Sequence, residues 1–375
     1  MAELDPDAYP DDDSSWPIDG TDDGYSPSAK TVSVVLLYLV IFVIGVAGNT
    51  LTVSVVALNP HLRTVTNLFI SQMAVGDLTL LLLAMPFDVI STYVFQKWNF
   101  SGEFCSVVYF FQDYAIAVTA FTLTAMSIDR FLTLSRPMRA YSIRSAKKFV
   151  AVAFLVQLLA VSAALPKSHF SDVTKMPVLP VAANNESAGT VCRLVLSRSA
   201  SLKFSLTRIA VFYVVPLIII TIAFTRINAF LKSSEAQVLL SANYKIMAAC
   251  KRALKLLLTL ITLFSVLFLP ATIDSIVSVF VRDGFSTYNK WYSLCEFLAD
   301  TFFYSISVYK PFVYSLLSVN FRRGYRNLIC CLRNNPNKES IVSQSDDSST
   351  VEASSLWSYY SGADSIDAGN VGDRL

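Results

Sequence analysis

Seven long apolar stretches constrain this chain more than any other feature, at roughly 32–58, 66–94, 103–134, 147–166, 204–231, 249–281 and 292–317. Crossing the hydrocarbon core of a bilayer takes about 20 mainly apolar helical residues, and every stretch reaches that length. Backbone groups in lipid must bond to one another, which leaves helices or closed barrels. No alternation of apolar and polar positions marks barrel strands. The expected fold is all-α and integral to the membrane, a seven-transmembrane-helix bundle. Composition agrees: 54% of the residues are hydrophobic and 15% charged, against about 25% charged in an ordinary soluble domain. No repeat relates the two halves of the chain, which counts against a transporter built from repeats.

The same composition excludes several functions. A net charge of +2 gives no electrostatic footprint for nucleic acid. His61 and His169 are too few and too far apart for a metal centre or an imidazole-based active site, and no CxxC pair occurs among the six cysteines. No nucleophile–base constellation or phosphate loop appears, so neither enzyme activity nor a cofactor is expected. The opening MAELDPD lacks the basic-then-apolar pattern of a cleaved signal, and the first apolar run is expected to target the membrane itself.

Loop charge sets the expected orientation. Arg63, Arg136, Arg139, Arg144, Lys147, Lys148, Arg226, Lys232 and Lys245 follow stretches 1, 3 and 5, whereas the first 29 residues hold Asp11, Asp12, Asp13, Asp22 and Asp23 and no basic residue. The positive-inside rule puts the odd connections in the cytoplasm and the N-terminus outside, at a plasma membrane. Sequons at Asn99 and Asn185 fall in connections assigned outside. The expected organisation is an acidic disordered extracellular segment at 1–31 and the bundle at 32–318. A short amphipathic eighth helix at 319–331 and a disordered Ser-rich cytoplasmic tail at 332–375 follow. Cys330 and Cys331 beside that helix are palmitoylation candidates. Tyr9 and Tyr25, close to aspartates, are candidates for sulfation; the alternative is a plain solvating tail.

Charge inside a membrane span is costly, so Asp77 in stretch 2 and Lys310 in stretch 7 call for explanation. With them stand Gly48-Asn49, Asp129-Arg130-Phe131 closing stretch 3, Pro216, Phe264 through Pro270, and Pro311-Phe312-Val313-Tyr314. One such motif per span, at matching depth, resembles the rhodopsin-like class of G-protein-coupled receptors over roughly residues 30–332. Within that class, Leu62 through Ser71, Phe121 through Ser127, Arg136-Pro137-Met138 and Pro311 through Arg322 are similar to bombesin-type and CCHamide-type peptide receptors.

The resemblance implies a receptor for an extracellular peptide, acting by nucleotide exchange on a heterotrimeric G protein, with arrestin as a further partner of a phosphorylated tail. It implies that Arg130 is held by Asp129 at rest and released when span 6 swings out, with Phe131, Tyr314 and Met138 in the same machinery. It implies a disulfide between Cys105 and Cys192, with Cys250 and Cys295 unpaired. In the family, an aspartate like Asp77 binds sodium with polar neighbours, here Thr119, and Asn49 belongs to the same core set. Lys310 stands where an asparagine is usual, and two readings are open: its ammonium replaces the ion beside Asp77, or it snorkels to the cytoplasmic side.

Further departures are Phe268 for a tryptophan, Phe224 for a tyrosine, and no acidic residue at the start of stretch 6. They keep an alternative open: a seven-helix binding or scavenger receptor without G-protein coupling. The slot of the amine-binding aspartate holds Gln112 and that of the retinal lysine holds Tyr304, which disfavours amines and retinal. Asp113, Asp274, Glu296 and Asp300, with Phe268, are expected to line an acidic pocket for a basic or amidated peptide. Asp88 is read as an exposed helix cap. Bombesin-type receptors tend to carry basic residues where this chain has Ser275 and Asp300, so a bombesin is not the expected ligand.

Overall fold

The computed structural model describes residues 28–135, 146–175, 189–233, 244–281 and 290–333. Met138, Asn185, the sulfation candidates and the Ser-rich tail lie outside the described residues. Span 1 is Ala29–Leu58, begun by Ser28, whose hydroxyl accepts from the Thr31 amide at 3.2 Å, so one orphan N–H of the first turn is satisfied. Span 2 covers Val65–Val94. It is interrupted at Ala84, where Pro86 lacks an N–H, and loosens into a π turn over Ile90–Val94. Span 3 is Gly102–Ser135 and span 4 Ala146–His169. Span 5 covers Arg198–Leu231, with a π turn at Ala210–Val214 leading into Pro216. Spans 6 and 7 are Tyr244–Val281 and Lys290–Leu317, with Pro270 and Pro311 inside them.

Two helix ends differ usefully from expectation. Span 4 runs through Pro166 to His169 rather than stopping at 166, and span 5 starts at Arg198 rather than 204, capped by Ser197. Both extensions are polar and both occur at the same end of the bundle; the first carries Lys167, and the second precedes Arg208 by about a turn. Among the described residues, six helices are long and apolar enough to cross a membrane by length and composition alone. Span 7 has the length, about 42 Å at 1.5 Å per residue, but includes Glu296, Asp300 and Lys310. Asp300 and Lys310 are taken up inside the bundle by Tyr93 and Asp77.

Span 3 is the hub, packed against spans 2, 4 and 5, while span 1 packs on 2 and 7, and span 6 on 7. Gly48 permits the approach of spans 1 and 7, since a Cβ there would lie 2.9 Å from the Pro311 ring. Leu36, Val40, Val43, Phe154, Leu158, Ile222 and Val266 are exposed on the outer faces, the arrangement of a bundle solvated by lipid.

The connection between spans 4 and 5 contains a hairpin the all-α expectation omitted: β1 (Ser171–Lys175) antiparallel to β2 (Thr190–Leu194), with Val173 opposite Cys192. The Cys105–Cys192 disulfide ties β2 to the start of span 3 with Cα atoms 5.6 Å apart. Tyr109 of span 3 donates to the Cys192 carbonyl at 3.0 Å. The Trp98 amide donates to the Thr190 carbonyl at 2.7 Å, and the Thr190 hydroxyl returns a bond to the Trp98 carbonyl at 2.6 Å. The hairpin is thus held from two sides.

At the opposite end, the amphipathic helix Val319–Arg333 extends two residues past its expected limit. Phe321 is fully buried against Tyr314, ring centroids 5.7 Å apart. The Thr52 hydroxyl spends its proton on the Gly48 carbonyl at 2.8 Å, so Tyr325 donates to Thr52 across 2.7 Å. Burial pushes the Tyr325 phenol up to about 12, with the Thr52 hydrogen bond opposing the rise, and this donor therefore persists at any physiological pH.

Gly324 sits where a Cβ would meet Val55 Cγ1 at 2.5 Å. Alanine would gain about 1 kcal/mol of helix propensity but must displace a buried, β-branched neighbour, typically a cost of about 1–3 kcal/mol. The clash is expected to win. Gly324→Ala should raise hydrogen–deuterium exchange across 319–333, and Val55→Ala in the same chain should restore protection; unchanged exchange in the single variant would remove this contact as the seat of the helix.

Candidate functional site

Two polar assemblies occupy the bundle. The first lies beneath the hairpin. Asp113 on span 3, with its side chain wholly buried, accepts two hydrogen bonds from Arg208 of span 5, at 2.8 Å from Nε and 2.5 Å from Nη2. This two-pronged geometry matches guanidinium to carboxylate. Lys167 of span 4 reaches the same carboxylate at 3.6 Å, donates to Gln112 Oε1 at 2.9 Å and lies 4.2 Å from the centre of the Tyr109 ring. The Gln112 amide nitrogen in turn donates to Asp88 Oδ2 and to the Tyr304 hydroxyl, each at 3.2 Å, while Tyr304 donates to Asp88 at 2.5 Å. One connected network therefore joins spans 2, 3, 4, 5 and 7. Beside it, Tyr93 donates to Asp300 at 3.1 Å and stacks on Tyr38 at 5.4 Å.

A cavity of about 140 Å³ opens on this assembly. Gln112, Lys167 and Arg208 line it from spans 3, 4 and 5, and Asp274 and Asp300 from spans 6 and 7, with Phe212, Phe268 and Phe303 among its apolar lining. Phe264 stacks under Phe268 at 5.5 Å. Of the seven residues expected to form the pocket, Gln112, Phe268, Asp274 and Asp300 line this cavity.

The other three require correction. Asp113 is consumed by Arg208 and Lys167 and does not border the cavity; Tyr304 is buried, 1% exposed, and bonded to Asp88. Glu296 lies one turn from Asp300 on the same face of span 7, outside the cavity lining. Asp88 is not an exposed cap but a half-buried acceptor. Lys167 and Arg208 escaped the sequence reading. The available signal was Arg208 itself, a charge within a stretch assigned to the membrane.

The second assembly is deeper. Lys310 Nζ lies 2.7 Å from Asp77 Oδ1 and 2.8 Å from Thr119 Oγ1, and Ser307 donates to the same carboxylate oxygen at 3.1 Å. Lys310 is 6% exposed and Asp77 2%, so the ammonium stays inside and does not snorkel. The Asn49 amide donates to the carbonyls of Gly45 and Ser307, both at 2.8 Å, which joins span 1 to span 7. At the end of span 3, Arg130 donates to the Thr66 hydroxyl of span 2 and lies 3.9 Å from Asp129. Phe131 is half-buried, and Tyr314 is fully buried beneath Phe321.

The family model described as 7 transmembrane receptor (rhodopsin family) matches residues 48–314, a range that holds both assemblies and the Arg130 end of span 3. The chain belongs to that family. A bombesin receptor of Bombina orientalis is 28% identical over 317 residues, covering 83% of this chain and 80% of that protein. The RYamide receptor of Drosophila melanogaster is 27% identical over 327 residues, covering 84% and 68%. Bombesin receptor subtype-3 of Ovis aries is 27% identical over 318 residues, covering 83% and 78%. The expected resemblance to bombesin-type receptors is met, and RYamide receptors join it. This rhodopsin-family receptor differs from its expected layout chiefly in the two cations beside Asp113.

The remaining expected sites are placed as follows. Asn99 is exposed beside the Trp98 turn, and Cys295 and Cys330 carry free, exposed thiols. Cys250 lies within span 6, and nothing further is described of its side chain or that of Cys331.

Proposed function

We propose that this chain is a plasma-membrane receptor for a secreted peptide, with its N-terminus and hairpin outside, and that it acts by promoting nucleotide exchange on a heterotrimeric G protein. The reading rests above all on one observation. A cavity with charged walls under a disulfide-held hairpin lies at one end of the bundle, and Arg130, held by Thr66 and Asp129, lies at the other. An arginine at a helix end near water exchanges such partners at little cost, so a shift of spans 2 and 3 or of span 6 can release it. The relatives are receptors named for bombesin and for RYamide, both peptides. Acids on spans 6 and 7 favour a basic peptide, amidated or free, over bombesin itself. The receptor has no chemistry of its own to perform.

Within this reading 1–31 faces the cell exterior and 332–375 the cytoplasm, where Met138 meets the G protein and the serine-rich tail, once phosphorylated, meets arrestin. Asn99 and Asn185 carry glycans, and Cys330 and Cys331 carry palmitate that fixes the amphipathic helix to the bilayer.

A second reading, a binding or scavenger receptor without coupling, is favoured by the Lys310–Asp77 pair and by Phe268 and Phe224. A second-messenger screen of surface-verified receptor against basic and amidated peptides separates the two. The expected result is a saturable response that Arg130→Ala removes while ligand binding persists. Binding without any response in the unaltered receptor would establish the uncoupled reading instead.

A further inference from the structure

The cavity is divided by charge in a way that specifies its ligand more narrowly than a basic peptide, granted the reading above that a peptide enters beneath the hairpin. Along spans 3, 4 and 5, two cations, Lys167 and Arg208, share the single carboxylate of Asp113. Asp88 on span 2 meets Lys167 only through Gln112, so among the described residues no second carboxylate is in ion-pair contact with either cation of that wall. Neither cation is more than about a sixth exposed (12% and 16%), and both border the open space. Asp274 and Asp300 line the same cavity from spans 6 and 7, a second wall. Among the described residues no lysine or arginine pairs with them; the ion pairs formed by Lys167 and Arg208 go to Asp113. The two walls are therefore opposite in sign, and among the described residues no ion pair joins them.

Size adds a limit. At about 140 Å³ the space suits one large side chain rather than a length of peptide, whose remaining residues must lie among the hairpin and the outer helix ends. The aromatic lining, Phe212, Phe268 and Phe303, fits the apolar stem of such a side chain between two charged ends. Polar groups buried without partners are costly, so a ligand that satisfies only one wall leaves the other desolvated for nothing.

We infer that the cavity receives a single cationic residue of the ligand at two points. Its guanidinium or ammonium is held by Asp274 and Asp300, and a carboxylate or carbonyl oxygen close to the same residue is held by Lys167 and Arg208. Lys167 and Asp274 are then the residues that set specificity, one for each end.

Three small probes test this on the purified full-length receptor, by the shift in thermal unfolding midpoint with probe concentration. Nα-acetyl-L-arginine offers both groups, n-butylguanidine only the cation, and N-acetyl-L-norleucine only the carboxylate. The first is expected to bind at least about tenfold more tightly than either of the others. Lys167→Gln should bring its affinity to that of n-butylguanidine, and Asp274→Asn to that of N-acetyl-L-norleucine. Equal binding of n-butylguanidine and Nα-acetyl-L-arginine to the unaltered receptor would overturn the inference, showing the cations to be spent on Asp113. No shift with any probe would overturn it too. The three-probe comparison needs no variant, so a variant that fails to fold does not blunt it. A peptide response in cells without probe binding sinks this inference and leaves the receptor reading standing; probe binding with a silent peptide screen does the reverse.

Discussion

Lys310→Met is expected to destabilise the purified receptor by about 3–5 kcal/mol, the usual cost of leaving one partner of a buried ion pair alone. Methionine keeps nearly the length of the lysine stem, so packing is largely preserved and the loss is electrostatic. Asp77, 2% exposed, would retain Ser307 as a donor but lose the ammonium at 2.7 Å. The double variant Asp77→Asn, Lys310→Met removes both charges and should recover most of the loss, because a neutral amide is far cheaper to bury than an unpaired carboxylate. The check is a double-mutant cycle on thermal unfolding midpoints. Additive single effects would show that the two residues are not energetic partners.

The same geometry bears on sodium. With the ammonium already on Asp77 and Thr119, the residual space beside Lys310 is about 10 Å³, bounded by Met73, Leu123 and Phe264 among others, about one water molecule's worth. We propose that the receptor is insensitive to sodium. Its unfolding midpoint should be the same in sodium chloride and choline chloride at equal ionic strength, and Lys310→Asn should acquire a sodium-dependent rise. A sodium-specific rise in the unaltered receptor would end that proposal.

The second large effect is expected at Asp113. Asp113→Asn leaves Lys167 and Arg208 facing one another with no carboxylate between them, so desolvation and like-charge repulsion act together. A loss of at least about 3–5 kcal/mol follows from the unpaired-charge cost, visible as reduced surface expression and a lower unfolding midpoint. Arg208→Gln should cost clearly less, because Lys167 at 3.6 Å remains to partner the carboxylate. The order of the two variants is the test. If Arg208→Gln is the worse, the guanidinium's hydrogen bonds outweigh the charge balance and Lys167 contributes little to the site.

Much of this receptor was legible in its sequence, and the reasons are local. Seven apolar stretches of sufficient length can only be helices in lipid. Asp77 and Lys310 could be singled out because a charge in such a stretch has few acceptable explanations. The amphipathic helix announced itself by basic residues interleaved with Phe321, Tyr325 and Leu328, and its seat on Thr52 and Tyr314 follows from that pattern only once span 1 and span 7 are in place. Helix ends were less legible. Polar residues such as Lys167 read as the start of a loop, yet the helix continues because the bundle, not water, receives them.

The ligand cavity shows the boundary most clearly. Position along each span identified Asp274 and Asp300 as groups near one end of the bundle, since depth depends only on counting residues at about 1.5 Å each, and the family resemblance singled out Gln112. Which way each side chain faces depends on helix rotation, and rotation is set by packing against neighbours. Sequence counting placed Asp113 and Asp300 alike as pocket acids. Packing turned Asp113 onto Arg208 and Lys167, left Asp300 at the cavity, and made Asp88 an acceptor inside the network. The sequence by itself determined the number of spans, their depth markers and the charges that must be accounted for. Only the tertiary structure decided which charges cancel and which remain to meet a ligand, because cancellation needs partners from different helices within a few ångströms.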